Sequence, residues 1–293
     1  MRIAIVTTSY PASEDDAAGH FVRSSARELE RQGHEVEVVS PPPGGAFGWP
    51  GAAARLRERP LRLVEAAWWL ATARARIAAA RADRVIAHWA LPSAWPIGVA
   101  ARGRLEVVSH GGDVRLVLGL PALLRRVIVR AIAARASAWT FVSARLRDDL
   151  LHALDGETRD RVDRIARVAA PVLDMPDVRE AVARRRLDLA GTRAAVSVGR
   201  LVPSKRVDRA IEHVACARDL DALVVVGDGP ERARLEDLAR DRRVDVRFVG
   251  AVGRREALAW IGAADVLLHG SVAEGLSTVI REAESLGTRV VRL

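Results

Sequence analysis

The feature that most limits what this chain can become is a repeated unit: a short apolar run, a polar or glycine-bearing loop, then a stretch with helical spacing. The runs Arg2–Thr8, Glu35–Ser40, Arg84–His88, Leu105–Ser109, Ala138–Ser143 and Ile165–Ala170 carry it through the first part of the chain. Ala194–Val198, Leu223–Val226, Val244–Val249 and Asp265–Leu268 carry it through the rest. Most of these runs do not alternate apolar with polar residues, which predicts strands covered on both faces. Strands that alternate with helices in this way form parallel sheets with helices on either side, an α/β architecture. The rhythm breaks at Pro171–Pro176, and 293 residues suffice for two such domains. The predicted boundaries are 1–171 for the first domain, 172–190 for a linker and 191–293 for the second.

Between the strands, the spacing predicts helices over Phe21–Gln32, over Ala52–Ala82 with a break at Pro60, and over Pro92–Ala101 as a short segment. It also predicts one long helix over Leu116–Ala136 and a helix opened by Lys205 and running to Ala217. The loop after the first strand, Ser9–Gly19, holds a single glycine. The three-glycine fingerprint of a dinucleotide redox cofactor is therefore absent from it. Gly19 can still let backbone approach a ligand phosphate.

Composition narrows the class further. A single cysteine, Cys216, excludes a disulfide framework and a cysteine-based zinc site. No uncharged apolar run is long enough to span a bilayer and Met1–Thr8 reads as a strand, so the protein is expected in the cytoplasm. The net charge of +9 raises the question of nucleic acid, but the basic residues are 45 Arg and one Lys in an alanine-rich chain, a bias of GC-rich coding. There is also no interleaving of aromatic with basic residues, so no nucleic-acid partner is expected. Residues 1–172 hold 25 basic and 18 acidic side chains, net +7. With the pair Trp68–Trp69 on an Arg-rich helix, this half suits peripheral contact with the inner face of an anionic membrane.

The richest stretch is Gly270–Gly287. An apolar strand leads into a loop with Gly270 and Gly275. Val279, Ile280, Ala283 and Leu286 then recur at helical spacing before Gly287. The amides of Ser277, Thr278 and Val279 open this helix, where an anion such as phosphate is favoured. Glu274 and Glu282 would repel that anion, so they are expected to meet something neutral that donates hydroxyls, such as a sugar and a ribose. Other strand ends carry His110-Gly111-Gly112-Asp113, with space for a ligand against backbone, and His88, a weaker candidate without glycine neighbours. Asp219-Leu220-Asp221 spells a metal-binding motif but precedes a strand, at the end of a sheet where ligands do not bind. No metal site and no cofactor are predicted. The fixed cations Arg200 and Lys205, the only lysine, can instead meet a diphosphate.

The pair Glu274 and Glu282 resembles the E-x7-E arrangement of retaining glycosyltransferases of family 4 (GT4). So do Val198-Gly-Arg-Leu with Lys205, Val226-Gly-Asp-Gly-Pro230, Phe248-Val-Gly250 and Glu274-Gly with Glu282-Ala, in the family's order. His110-Gly-Gly-Asp113 resembles its His-Gly-x-Asp loop. The resemblance implies a GT-B fold, two Rossmann-like parallel-sheet domains facing a cleft, here with the second domain incomplete at its C-terminus. It implies transfer of a sugar from a nucleotide-diphosphate donor to a hydroxyl acceptor, lipid-linked or not, by metal-independent front-face substitution. His110, Arg200, Lys205 and Glu274 would be catalytic. Gly19, Gly229, Leu276, Ser277, Thr278 and Glu282 would bind the donor. A GT-B sugar-nucleotide epimerase and a non-catalytic sugar-nucleotide binder stay open as alternatives. In this family Glu284 stands at a position that is usually apolar.

Overall fold

The computed structural model describes residues 1–16, 18–47, 52–272 and 275–293, and for 52–54 the backbone alone. The chain divides into two compact units, Met1–Val172 and Leu173–Leu293. In the first unit the elements are β1 (Arg2–Val6), α1 (His20–Arg31), β2 (Glu35–Val39), α2 (Ala52–Glu58), α3 (Arg62–Ala79) and β3 (Arg84–His88). They continue as β4 (Arg104–Ser109), α4 (Gly112–Leu118), α5 (Ala122–Arg135), β5 (Ala136–Phe141), α6 (Ala144–His152), α7 (Gly156–Ile165) and β6 (Ala166–Val168). In the second unit they are α8 (Arg179–Asp188), β7 (Ala194–Val198), α9 (Val207–Cys216), β8 (Ala222–Val226), α10 (Arg232–Arg242) and β9 (Asp245–Gly250). This unit ends with α11 (Arg254–Ala263), β10 (Val266–His269), α12 (Thr278–Ser285) and β11 (Arg289–Arg292).

Among the described residues the strands form two all-parallel sheets, ordered β2-β1-β3-β4-β5-β6 and β11-β10-β7-β8-β9. In the second unit alternate strand residues feed opposite layers. Ala195, Leu223, Val225, Val266 and Leu268 pack beneath α9 and α10 with Leu201, Ile211 and Leu235. Val196, Val224, Val226 and Leu267 pack on the other face with Leu258, Trp260, Ile280 and Ala283. This two-sided burial is why the strands read as unbroken apolar runs. Each fully buried Val, Leu or Ile contributes about 1.5–3 kcal/mol relative to exposure.

The strand orders fix where a ligand can enter. In the first sheet the chain starts at β1, places β2 on one side and then crosses to β3 on the other. In the second it starts at β7, runs outward through β8 and β9, and crosses back to β10. At such a reversal the loops leaving the two central strands part, and a crevice opens at their C-terminal ends.

Four segments differ from the sequence expectation. The predicted helix Leu116–Ala136 is two, α4 and α5, because Pro121 has no amide for a helical bond and its ring would clash with the preceding turn. Residues Ala90–Ala100 are irregular helical turns in which Leu91 and Trp95 are extended, as residues before proline tend to be. The predicted linker contains α8. It packs on α11, with Val178 buried, an Arg185–Glu256 ion pair at 2.7 Å and Arg186 donating to the Gly262 carbonyl at 3.3 Å. Lys205 does not open a helix: it ends a single turn, Pro203–Lys205, and α9 begins at Val207 after a left-handed Arg206 with φ 49°.

Candidate active site

The loops leaving β7, β8 and β10 are joined backbone to backbone. The Gly199 amide donates to the Val226 carbonyl at 2.9 Å, Leu201 to Asp228 at 2.9 Å, and Glu231 back to Leu201 at 3.0 Å. Gly227 has φ 132°, and a Cβ there would sit 2.0 Å from the Gly199 carbonyl oxygen, so no side chain fits. Gly229 meets the Leu201 carbonyl in the same way. Across the strand reversal, the Val272 amide and the Ser271 hydroxyl both donate to the Ser204 carbonyl, at 3.2 and 3.3 Å. The folded chain thus brings together the loop of Arg200 and Lys205, the loop of Gly229 and the start of Gly270–Gly287.

Within this knot Arg200 is exposed and Lys205 half-buried. The stem of Lys205 runs across Gly199, its Cδ and Cε each 3.8 Å from where a Cβ would stand. Leu276, Ser277 and Thr278 are half-buried at the start of α12, and no side-chain hydrogen bond from Ser277 caps that helix. Glu274 lies outside the described residues. Glu284 is exposed, which explains how an acid is accommodated at that helix position.

Glu282 is 5% exposed and its Oε1 accepts from Arg254 Nη2 at 3.0 Å and Nε at 3.2 Å. Arg254, itself buried at the start of α11, also donates to the Asp174 carbonyl at 2.6 Å. Any ribose held by Glu282 therefore shares the carboxylate with this guanidinium. Sequence reasoning missed Arg254: among 45 arginines nothing marks one that follows β9. Asp221 stands at the opposite, N-terminal ends of the strands, just before β8, clamped by Arg193 at 2.7 and 3.0 Å. Those hydrogen bonds hold its carboxyl down at about 2. This is a strand-start clamp, away from the C-terminal strand ends.

In the first unit a second constellation gathers at the C-terminal ends of β3 and β4. Asp113 staples the two loops: its Oδ2 accepts from the Ala90 amide at 2.7 Å, and its Oδ1 from the His110 and Gly111 amides at 3.1 and 3.0 Å. The His110 ring is enclosed by Phe21 and Trp89, with centroids 4.5 and 5.2 Å away, and its Nε2 lies 2.9 Å from His88 Nδ1. Burial pushes His110 down to about 3, and burial followed by the neighbouring His110 holds His88 well below its ordinary value. Both imidazoles are neutral at neutral pH. His88, the weaker sequence candidate, is thus brought to the stronger one. The signal was available: two histidines at the ends of consecutive strands are neighbours if those strands pair. Gly19, φ 70°, opens α1, and a Cβ would lie 2.5 Å from the Ser9 carbonyl oxygen, so the chain itself demands this glycine.

Two parallel-sheet α/β units are the architecture of the GT-B fold, and comparison with known proteins supplies the family. Residues 18–167 match the family described as Glycosyltransferase Family 4, and residues 181–292 match Glycosyl transferases group 1. The chain belongs to glycosyltransferase family 4 and is a glycosyltransferase. It is 30% identical over 314 aligned positions to a GDP-mannose-dependent alpha-mannosyltransferase of Mycobacterium tuberculosis, covering 99% of this chain and 78% of that one. Its fold is similar to Anabaena HepE in complex with UDP-glucose, with TM-score 0.67, 19% identity, and 100% and 80% of the two chains covered. It is also similar to a sucrose-phosphate synthase from Thermosynechococcus elongatus, with TM-score 0.70, 20% identity, and 99% and 80% covered.

Proposed function

We propose that this glycosyltransferase moves a sugar from a nucleotide-diphosphate donor to a hydroxyl acceptor, with retention at the anomeric carbon and without a metal ion. The observation that carries the reading is the backbone knot at the β7/β10 reversal, which gathers the loops of Arg200, Lys205 and Gly229 with Ser271 and Val272, in the segment that leads to α12, whose start Ser277 does not cap. The departing nucleoside diphosphate carries several negative charges. Two fixed cations and the amides at Ser277 and Thr278 stabilise them without a metal, and most strongly as the bond breaks. The anomeric C–O bond to phosphate breaks through an oxocarbenium-like state. The acceptor oxygen bonds to the same face, and the released phosphate oxygen takes the acceptor's proton. No side-chain base is assigned. Glu274 holds sugar hydroxyls, Glu282 the ribose together with Arg254, and Leu276 and Gly229 line the donor. His110 and Gly19 serve the sugar and acceptor side. The dependence of a mannosyltransferase relative on GDP-mannose, and a UDP-glucose complex of a similar fold, support a nucleotide-sugar donor here.

The test is product NMR with UDP-, GDP- and ADP-sugars selected by thermal shift, run with and without a chelator. Transfer with the donor's anomeric configuration kept, in chelator, supports the reading. An inverted anomer or a chelator-dead enzyme overturns it. A donor epimerised without transfer, or bound without turnover, would identify one of the rival activities.

Peripheral attachment to the inner face of an anionic membrane is part of the same proposal, with a lipid-linked acceptor. No described helix is long and apolar enough to cross a membrane. The Trp pair on α3 divides its labour: Trp69 is core, while Trp68 is 72% exposed, with the exposed Val64 one turn and Leu61 two turns before it. At the α4–α5 corner Leu116, Leu123, Leu124 and Val127 are exposed. From Val114 to Arg147 the chain has seven arginines and no acid. Apolar side chains ringed by arginine favour anionic lipid. The chain should sediment with anionic vesicles at low salt and be released by high salt. Trp68→Ser with Leu123→Ser should abolish pelleting, and equal pelleting with neutral lipid would refute the charge argument.

A further inference from the structure

His88 and His110 form a bond whose single proton has a readable owner. His88 closes β3 and His110 follows β4, and the register pairs His88 with Val108, so the sheet itself sets the two imidazoles side by side. Their nitrogens are 2.9 Å apart, the ring planes differ by 11° and the centroids are 5.2 Å apart. That combination describes two rings meeting edge to edge in nearly one plane, the geometry of an N–H···N hydrogen bond. A neutral imidazole has one N–H and one lone pair, so whichever ring donates also decides where the other keeps its proton.

The far nitrogen of His88 settles the choice. Its Nε2 is buried and has no hydrogen-bond partner among the described residues. If His110 donated through Nε2, His88 would accept at Nδ1 and carry its own proton on Nε2, a buried donor facing no acceptor. If His88 donates through Nδ1, the unmet group is only a lone pair. Orphaned buried N–H groups are the rarer and more costly of the two. We propose that His88 donates its Nδ1–H to Nε2 of His110, and that it is thereby a positioning residue that holds His110 as the Nδ1–H tautomer. Asp113 fixes the His110 backbone and Phe21 and Trp89 flank its ring, so His88 decides which nitrogen carries the proton rather than where the ring lies. His110 then offers a neutral donor at Nδ1 to a ligand oxygen, a hydroxyl or a phosphate, without adding a charge beside the developing oxocarbenium. This deepens the proposed function and rests on its use of His110.

The proton positions are tested directly by two-dimensional 15N NMR of the imidazoles in the full chain, with peaks assigned through His88→Phe and His110→Gln. Both rings should report Nδ1–H, and a His110 signal for Nε2–H or for the cation overturns the inference. Turnover adds a readout that packing alone would not move. His88→Phe should lower kcat about tenfold, the loss of one neutral hydrogen bond, with KM for the donor little changed. His88→Asn, whose side-chain amide can donate from the Nδ1 position, should restore most of that loss. Equal losses in Phe and Asn variants that fold would make His88 a packing residue and end the proposal. If His110→Gln leaves turnover intact while the tautomers are as expected, the assignment of His110 in the proposed function fails and the proton placement stands.

Discussion

The two strand-end constellations are built on opposite physics. In the first unit the two imidazoles at the ends of β3 and β4 are neutral, and where their protons sit defines the site, with the His110 ring flanked by Phe21 and Trp89. In the second, the loops after β7, β8 and β10 are tied by backbone and equipped with permanent charge. Arg200 and Lys205 are carried on the loop after β7, and the buried pair Arg254–Glu282 joins the start of α11 to α12. Under the proposed function, one unit would meet uncharged sugar and the other a polyanion. The contrast also means that the two respond to different perturbations.

The largest effect should come from the buried ion pair. Arg254→Ala leaves Glu282 charged and enclosed at 5% exposure, with its guanidinium partner gone. Breaking one side of such a pair costs about 3–5 kcal/mol. Chemical denaturation should show that loss. Removing both partners, with Arg254→Met and Glu282→Leu, should recover much of it. If the single variant is as stable as the parent, the pair does not organise the second unit and the comparison loses its ionic half.

Next in size is the separation of roles on the donor. Lys205→Ala should weaken binding of free nucleoside diphosphate and slow transfer, by roughly 2.7–4 kcal/mol at the transition state. Glu274→Ala should leave free nucleoside diphosphate binding nearly intact while weakening the intact donor. His110→Ala should lower turnover more than donor affinity. Calorimetry with both ligands on each variant is the measurement. Equal loss of both ligands in Glu274→Ala, or neither in Lys205→Ala, would mean that the donor is oriented differently along Gly270–Gly287.

How far these features were legible depended on whether their cause is local. The strands were readable because two-sided burial leaves unbroken apolar runs, as at Leu223–Val226. The break at Pro121 was equally local, yet the apolar spacing on either side masked it. Helix α8 hid in a predicted linker because none of its own residues is fully buried; it packs on α11, distant in sequence. Lys205 stands out in the sequence as the only lysine, but its turn depends on Arg206 adopting φ 49°, for which its residue type gives no signal. Arg254 and the joining of His88 to His110 required strand order, a property of the whole sheet.

The smallest effect per step, and the sharpest way to break the comparison, is acid. An imidazole held neutral in the fold has a folded value below its unfolded one near 6.5. Between those two values the unfolded chain binds more protons, so stability rises with pH and is lost as pH falls. For His110, pushed down to about 3, the window runs from about 6.5 to about 3, and His88 shares its upper part. Each group can remove up to about 1.4 kcal/mol per pH unit inside that window. The second unit's displaced carboxyls lose stability in the same direction, as pH falls, but lower down. Asp177 and Asp221 are held at about 2 by Arg179 and Arg193, so their contribution is present above about 4 and fades only below it. Both are exposed, so screening leaves them little weight. Denaturation midpoints measured from pH 7 to pH 4.5 should therefore fall for the parent and fall less steeply for His110→Gln, with the second unit's ion pairs unaffected. A parent curve that is flat across this range would mean that the imidazoles are not held neutral, and the distinction between a proton-defined and a charge-defined site would collapse.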